Sequence, residues 1–175
     1  MGPRFVSILA ASAMLLTAGL AQAQQSSTNQ VAAMTDWSVF EAKDPKECWA
    51  VSTAKESVNT KDGRVVAVRR SDILFMVFYR PNAGVSGQVG FTGGYPFASG
   101  SMVDLEIDGN KHVLITEGEW AWPASPDDDA KIIAAMKRGS SAKLSARSAR
   151  GTKTADSFSL LGFTAAVEDA GKRCK

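Results

Sequence analysis

Several sets of side chains in this sequence could do chemistry, and each would do a different kind. The chain has one histidine, His112, which Glu106 or Asp104 could orient as a general base, making the protein a hydrolase. That chemistry also needs a nucleophile, and no Gly-x-Ser-x-Gly elbow is present. Glu117 and Glu119 stand one strand step apart, so on one strand they would share a face like paired glycosidase carboxylates. Asp127, Asp128 and Asp129 offer oxygens that suit Ca²⁺. They lack the spaced acidic pattern of a calcium loop, however, and they coincide with a helix start. The glycine-rich stretch Gly84–Gly100 has no phosphate-loop signature and no helix after it. No nucleophile, base and orienter come together, and no cofactor or metal motif emerges. The expectation is a non-enzymatic protein with no cofactor.

Two other sets point to structure and binding. Cys48 and Cys174 are the only cysteines, and an even count in an exported chain reads as one disulfide. Tyr95, Phe97, Trp120 and Trp122 lie near turns, with Trp120 and Trp122 on one strand face. If exposed, they form a binding surface for a protein's apolar face, or for a sugar or envelope polymer. Core packing is the competing fate of such rings. Charge is also segregated: Asp104–Asp129 holds eight acids and one base, whereas Ala130–Ala155 holds seven bases and no acid. These blocks either cancel across adjacent strands or dock an anionic envelope surface.

The elements that must position these residues begin after an export segment. Arg4, the apolar run Phe5–Leu20 and Ala21-Gln22-Ala23 make a signal peptide over 1–23, too short for a spanning helix. Residues 24–34 read as a loose polar tail, and 35–175 as one domain. Lysine plus arginine number 20 against 18 acids, a balance that excludes a dedicated nucleic-acid binder. Strands are predicted at Asp36–Ala42, Glu47–Ala54, Arg64–Arg70 and Ile73–Arg80, with a loop over Lys55–Gly63. The run Ile73–Tyr79 is apolar at every position, as in a strand covered on both faces. Asp108-Gly109-Asn110 marks a hairpin. A three-residue loop would set His112 beside Glu106; a two-residue loop would reverse it.

Helix signals come late. Ser125-Pro126-Asp127-Asp128 is a capped start and Lys137-Arg138-Gly139 a stop, giving a helix over Pro126–Arg138. Phe163, Ala166, Val167, Ala170 and Cys174 fall on one stripe of a C-terminal helix. The fold class is therefore mainly β, an antiparallel sandwich or barrel-like domain with a mid-chain and a C-terminal helix. Its expected partner is another protein or an envelope component, met in the periplasm or outside the cell.

WSVF (Trp37–Phe40), ECWAV (Glu47–Val51), GEWAWP (Gly118–Pro123) before SPDDDAK, and FSLLGFTAAVEDAGKRC (Phe158–Cys174) together resemble the invasion-associated locus B family. The resemblance implies a small, exported, β-rich bacterial protein and no enzyme activity.

Overall fold

A computed structural model describes residues 29–175. The expected export segment and the first part of the expected tail lie outside the described residues. Among the described residues there are twelve strands, two α-helices and one short 3-10 turn at Pro81–Ala83. The first ten strands are β1 (Gln30–Met34), β2 (Trp37–Lys43), β3 (Lys46–Thr53), β4 (Glu56–Lys61), β5 (Arg64–Val65), β6 (Leu74–Arg80), β7 (Val85–Thr92), β8 (Met102–Ile107), β9 (Asn110–Glu117) and β10 (Trp120–Trp122). Helix α1 (Pro126–Arg138), β11 (Ser141–Arg147), β12 (Lys153–Ser159) and α2 (Phe163–Arg173) complete the chain. All strand pairs are antiparallel, in the order β1-β2-β3-β6-β7-β10-β9-β8-β11-β12-β4-β5.

The sheet curls back on itself. Strands β2 and β12 are far apart in the order, yet Trp37 Nε1–H donates to the Ser159 carbonyl at 3.0 Å. Lys55 N–H likewise reaches the Ser157 carbonyl at 2.7 Å. The inward face forms the core: Val39, Ala50, Phe75, Val77, Phe91, Leu105, Leu114, Leu144 and Phe158 are all buried there. Phe158 of β12 meets Phe75 at 5.5 Å and Phe91 at 6.2 Å, so opposite walls touch through aromatic rings. Both helices sit on this inner side. Ile132 and Met136 of α1 join the same core as Phe163, Ala166, Val167 and Ala170 of α2.

Helix α1 has the predicted ends. Ser125 is its N-cap, accepting the Asp128 N–H at 3.2 Å, and Pro126 fills the first turn where an N–H would go unused. Ser125→Ala should cost about 1 kcal/mol, read as a lower urea midpoint at constant m-value. Asp129 supplies a second lock: its Oδ1 accepts the Val89 N–H at 2.7 Å, beyond the point where β10 ends. Burial raises the Asp129 pKa and that hydrogen bond opposes the rise. The acidic run is thus spent on a helix start and a strand edge. Among the described residues no group of three His, Cys, Asp or Glu is placed to hold a metal.

Three local expectations need correction. The tail over 24–34 includes a strand, since Gln30–Met34 pairs with β2. Gly162 explains part of its docking: a Cβ there would come within 1.8 Å of the Met34 carbonyl oxygen, so only glycine allows α2 to start against β1. The loop expected over Lys55–Gly63 contains β4, paired with β12 from Glu56↔Ser157 to Thr60↔Lys153. Val58 is its one large apolar residue and is exposed, so no alternation betrayed the strand. Conversely, Arg64–Arg70 forms only the two-residue β5, because the chain then turns in and Arg70 enters the interior.

The hairpin takes the two-residue loop. Ile107 pairs with Asn110, and Asp108 and Gly109 both have positive φ, 45° and 87°. Asp108 then accepts the Ser140 and Ser141 N–H groups at 2.8 and 3.2 Å, tying the hairpin to the end of α1.

Candidate binding surface

Register decides which rings meet. Phe40, Trp49 and Phe78 are direct cross-strand partners on β2, β3 and β6, and they point away from the core shared by Val39, Ala50 and Val77. Phe40 and Trp49 stack at 5.4 Å with planes 5° apart. On β10, Ala121 pairs with buried Phe91, so Trp120 and Trp122 take the outer face. Their rings stack at 5.2 Å and 18°. Phe78 lies between the two groups, 6.2 Å from Trp120 and 5.9 Å from Trp122. Gly90 makes this possible, since a Cβ there would stand 2.7 Å from the Trp122 ring.

The result is an aromatic ridge across the outer face. Phe78 is its floor, 6% exposed, while Phe40, Trp49, Trp120 and Trp122 are half-buried. Arg80 lies over the Phe78 ring at 4.4 Å and is held there by Glu47 at 2.7 Å and Gln88 at 3.0 Å. Neither helix reaches this face, because the apolar stripes of α1 and α2 are both spent on the inner core.

Tyr95 and Phe97 belong elsewhere. Phe97 is 6% exposed and packs against Phe91 at 6.1 Å and Tyr95 at 5.2 Å, so it is core and not surface. The segment that carries it bridges Ser148 and is drawn into the barrel end. Tyr95 is half-buried with its hydroxyl 2.5 Å from Thr154 Oγ1, and burial pushes its pKa up. It lines a separate cleft of about 430 Å³ that also holds Arg69 and Arg150. Sequence reasoning missed Arg70, which anchors that end: its guanidinium forms two hydrogen bonds to Asp156, at 2.8 and 2.5 Å, and one to the Gly93 carbonyl. It also stacks 4.9 Å over Tyr95.

The enzymatic candidates are not assembled as the spacing allowed. His112 pairs with Leu105, which turns it to the inner face, away from Asp104 and Glu106. Glu117 and Glu119 are split by a turn, since Glu117 pairs directly with Trp120 across Gly118-Glu119. His112 Nε2 is buried without a hydrogen-bond partner. Burial holds its pKa below the usual value, with Asp128 pulling weakly the other way. Folding therefore favours the neutral imidazole over the charged one. Its contribution should be complete above about pH 6.5 and decline as the pH falls below that value. His112→Ala should remove this component, seen as a smaller loss of urea midpoint between neutral and mildly acidic buffer than the parent shows.

The Cys48–Cys174 bond is formed, with Cα atoms 5.8 Å apart. Comparison with known proteins agrees with the architecture. The profile of the Invasion associated locus B (IalB) protein family matches residues 37–171. The chain belongs to this family. The crystal structure of invasion associated protein B from Bartonella henselae is similar over 79% of this chain and 94% of that one, with a TM-score of 0.51 and 19% identity. At that identity the likeness speaks for the shared IalB fold alone. No curated protein is a significant match. Among the described residues, no helix is long and apolar enough to cross a membrane.

Proposed function

We propose that this IalB-family chain is an exported, non-enzymatic binding protein of the bacterial envelope, and that its aromatic ridge docks another protein. The observation that carries the reading is the ridge itself. Five aromatic side chains sit together on a sheet face that no helix of the fold covers. Trp and Tyr rings held rigid in such a cluster are the usual energetic centres of protein interfaces. A sugar-binding platform, by contrast, needs ring faces lying open side by side. Here Trp120 and Trp122 turn their faces toward each other, as do Phe40 and Trp49. The disulfide and the sequence's export signal both fit an extracytoplasmic place of work.

Capture from the organism's own envelope extract tests this. The mature chain should retain a partner protein that Trp49→Ala and Trp122→Ala each lose, by ~10-fold or more if these are interface centres. Arg150→Ala, in the separate cleft, should retain it. Equal capture by all variants would contradict the reading.

A further inference from the structure

Met102, Val113 and Ile115 are exposed by 59, 48 and 52%, and register places all three on the outer face of β8 and β9. Met102 also lines a shallow depression of about 530 Å³ that spans β8, β11, β12 and β4 and includes Asp104, Ser145, Ala155 and Val58. Small side chains there face large ones two strands away. Three rows run across these strands. One is Val113–Asp104–Ser145–Ala155, the second is Lys111–Glu106–Lys143–Ser157, and the third runs from Trp122 of β10 through Ile115 and Met102 and continues over Arg147 and Lys153.

We infer that this face binds a second copy of the chain, in a two-fold dimer whose axis runs along the strands between β8 and β11. Such an axis lays β8 of one copy over β11 of the other, and β9 over β12, at the same height. Each row then meets its own complement. Val113 of one copy faces Ala155 of the other, a large residue over a small one. Asp104 faces Ser145, an acceptor over a donor. Glu106 faces Lys143, acid over base, twice by symmetry. Met102 and Ile115 meet Arg147 and Lys153, whose aliphatic stems can cover them. Facing sheets in this arrangement pack about 10 Å apart, as the two layers of a sandwich do. Among the described residues, none of Asp104, Glu106, Lys143, Arg147 and Lys153 is engaged in an ion pair. The charge segregation along the sequence thus has a use: it makes one face self-complementary. The patch adjoins the aromatic ridge, because Ile115 is the cross-strand partner of Trp122, and its test therefore uses Val113, Glu106 and Lys143, which lie outside the ridge.

Sedimentation equilibrium of the mature chain over a micromolar concentration series is the test. The parent should associate as a dimer. Val113→Lys should weaken the dimer ~10-fold or more by placing a charge over the depression. Glu106→Lys should weaken it through like charges at both symmetry-related contacts, and combining it with Lys143→Glu should restore it. All three positions are exposed, and unchanged melting curves would show the fold intact. A chain that stays monomeric overturns the inference. So does a dimer indifferent to Val113→Lys, or one that the reciprocal exchange fails to restore.

Discussion

Reduction of the Cys48–Cys174 bond should lower stability by several kcal/mol and unfasten α2 before the sheet. The bond spans 126 residues. In the chain-entropy model a loop that long contributes ~4.9 kcal/mol by restricting the unfolded chain, and residual unfolded structure brings measured values nearer 2–4 kcal/mol. Its position explains the order of events. Helix α2 buries Phe163, Ala166, Val167 and Ala170, of which two are alanines, and it begins without a side-chain cap. Trp37 holds the start of the helix, meeting Phe163 edge-on at 4.8 Å. Cys174 holds the end against Cys48, near the start of β3. Urea denaturation of Cys48→Ser/Cys174→Ser beside the parent should show the midpoint drop. Hydrogen exchange should show α2 amides losing protection ahead of β6 and β7. Equal stability with and without the bond would mean that the helix is held by its packing alone.

Breaking the Arg70–Asp156 pair should cost about as much. Asp156 is fully buried and the Arg70 side chain is 6% exposed. The pair is well satisfied: Asp156 also accepts from Ser57 at 2.7 Å, and Arg70 donates to Gly93 and Asn59. Removing one partner leaves the other charge buried and alone, a loss of about 3–5 kcal/mol. Asp156→Asn and Arg70→Met should each show it in the urea midpoint. The double change Arg70→Met/Asp156→Leu should recover much of the loss, since an apolar pair leaves no stranded charge. The bond lies where the β5–β6 connection crosses to β12, so the single variants should also loosen the Lys55–Ser157 closure of the barrel. Additive losses in the double variant would contradict this picture.

Much of this fold was legible because the chain states it locally. The Ser125 cap, the Pro126 start and the Lys137-Arg138-Gly139 stop gave α1 to the residue. The apolar stripe Phe163–Cys174 gave α2, and the unbroken run from Ile73 gave a strand with four consecutive buried positions, Phe75 to Phe78. The disulfide followed from counting cysteines. What stayed hidden depends on partners distant in sequence. Strand β4 has only Val58 as a large apolar residue, and exposed at that, and is held as a strand by pairing with β12. Arg70 looks like any surface arginine until Asp156, 86 residues on, is brought beside it. The candidate surface was half legible: Trp120 and Trp122 sit two apart on one strand, so their common face was readable. Phe40, Trp49 and Phe78 join them only through register across β2, β3 and β6. Phe97 was misplaced because a turn-like Gly and Pro context hid its return to the core.

Docking on the ridge is read most directly by side-chain oxidation with hydroxyl radicals. The captured complex and the free protein would be oxidised in parallel and compared residue by residue by mass spectrometry. Trp49, Trp120 and Trp122 should be oxidised in the free protein and protected in the complex, while Tyr95 in the separate cleft changes little. Trp37, 1% exposed, should be slow in both and marks an intact fold. Protection of Tyr95 with the three ridge tryptophans still oxidised would contradict docking on the ridge, and would move the binding site to the cleft beside Arg69 and Arg150.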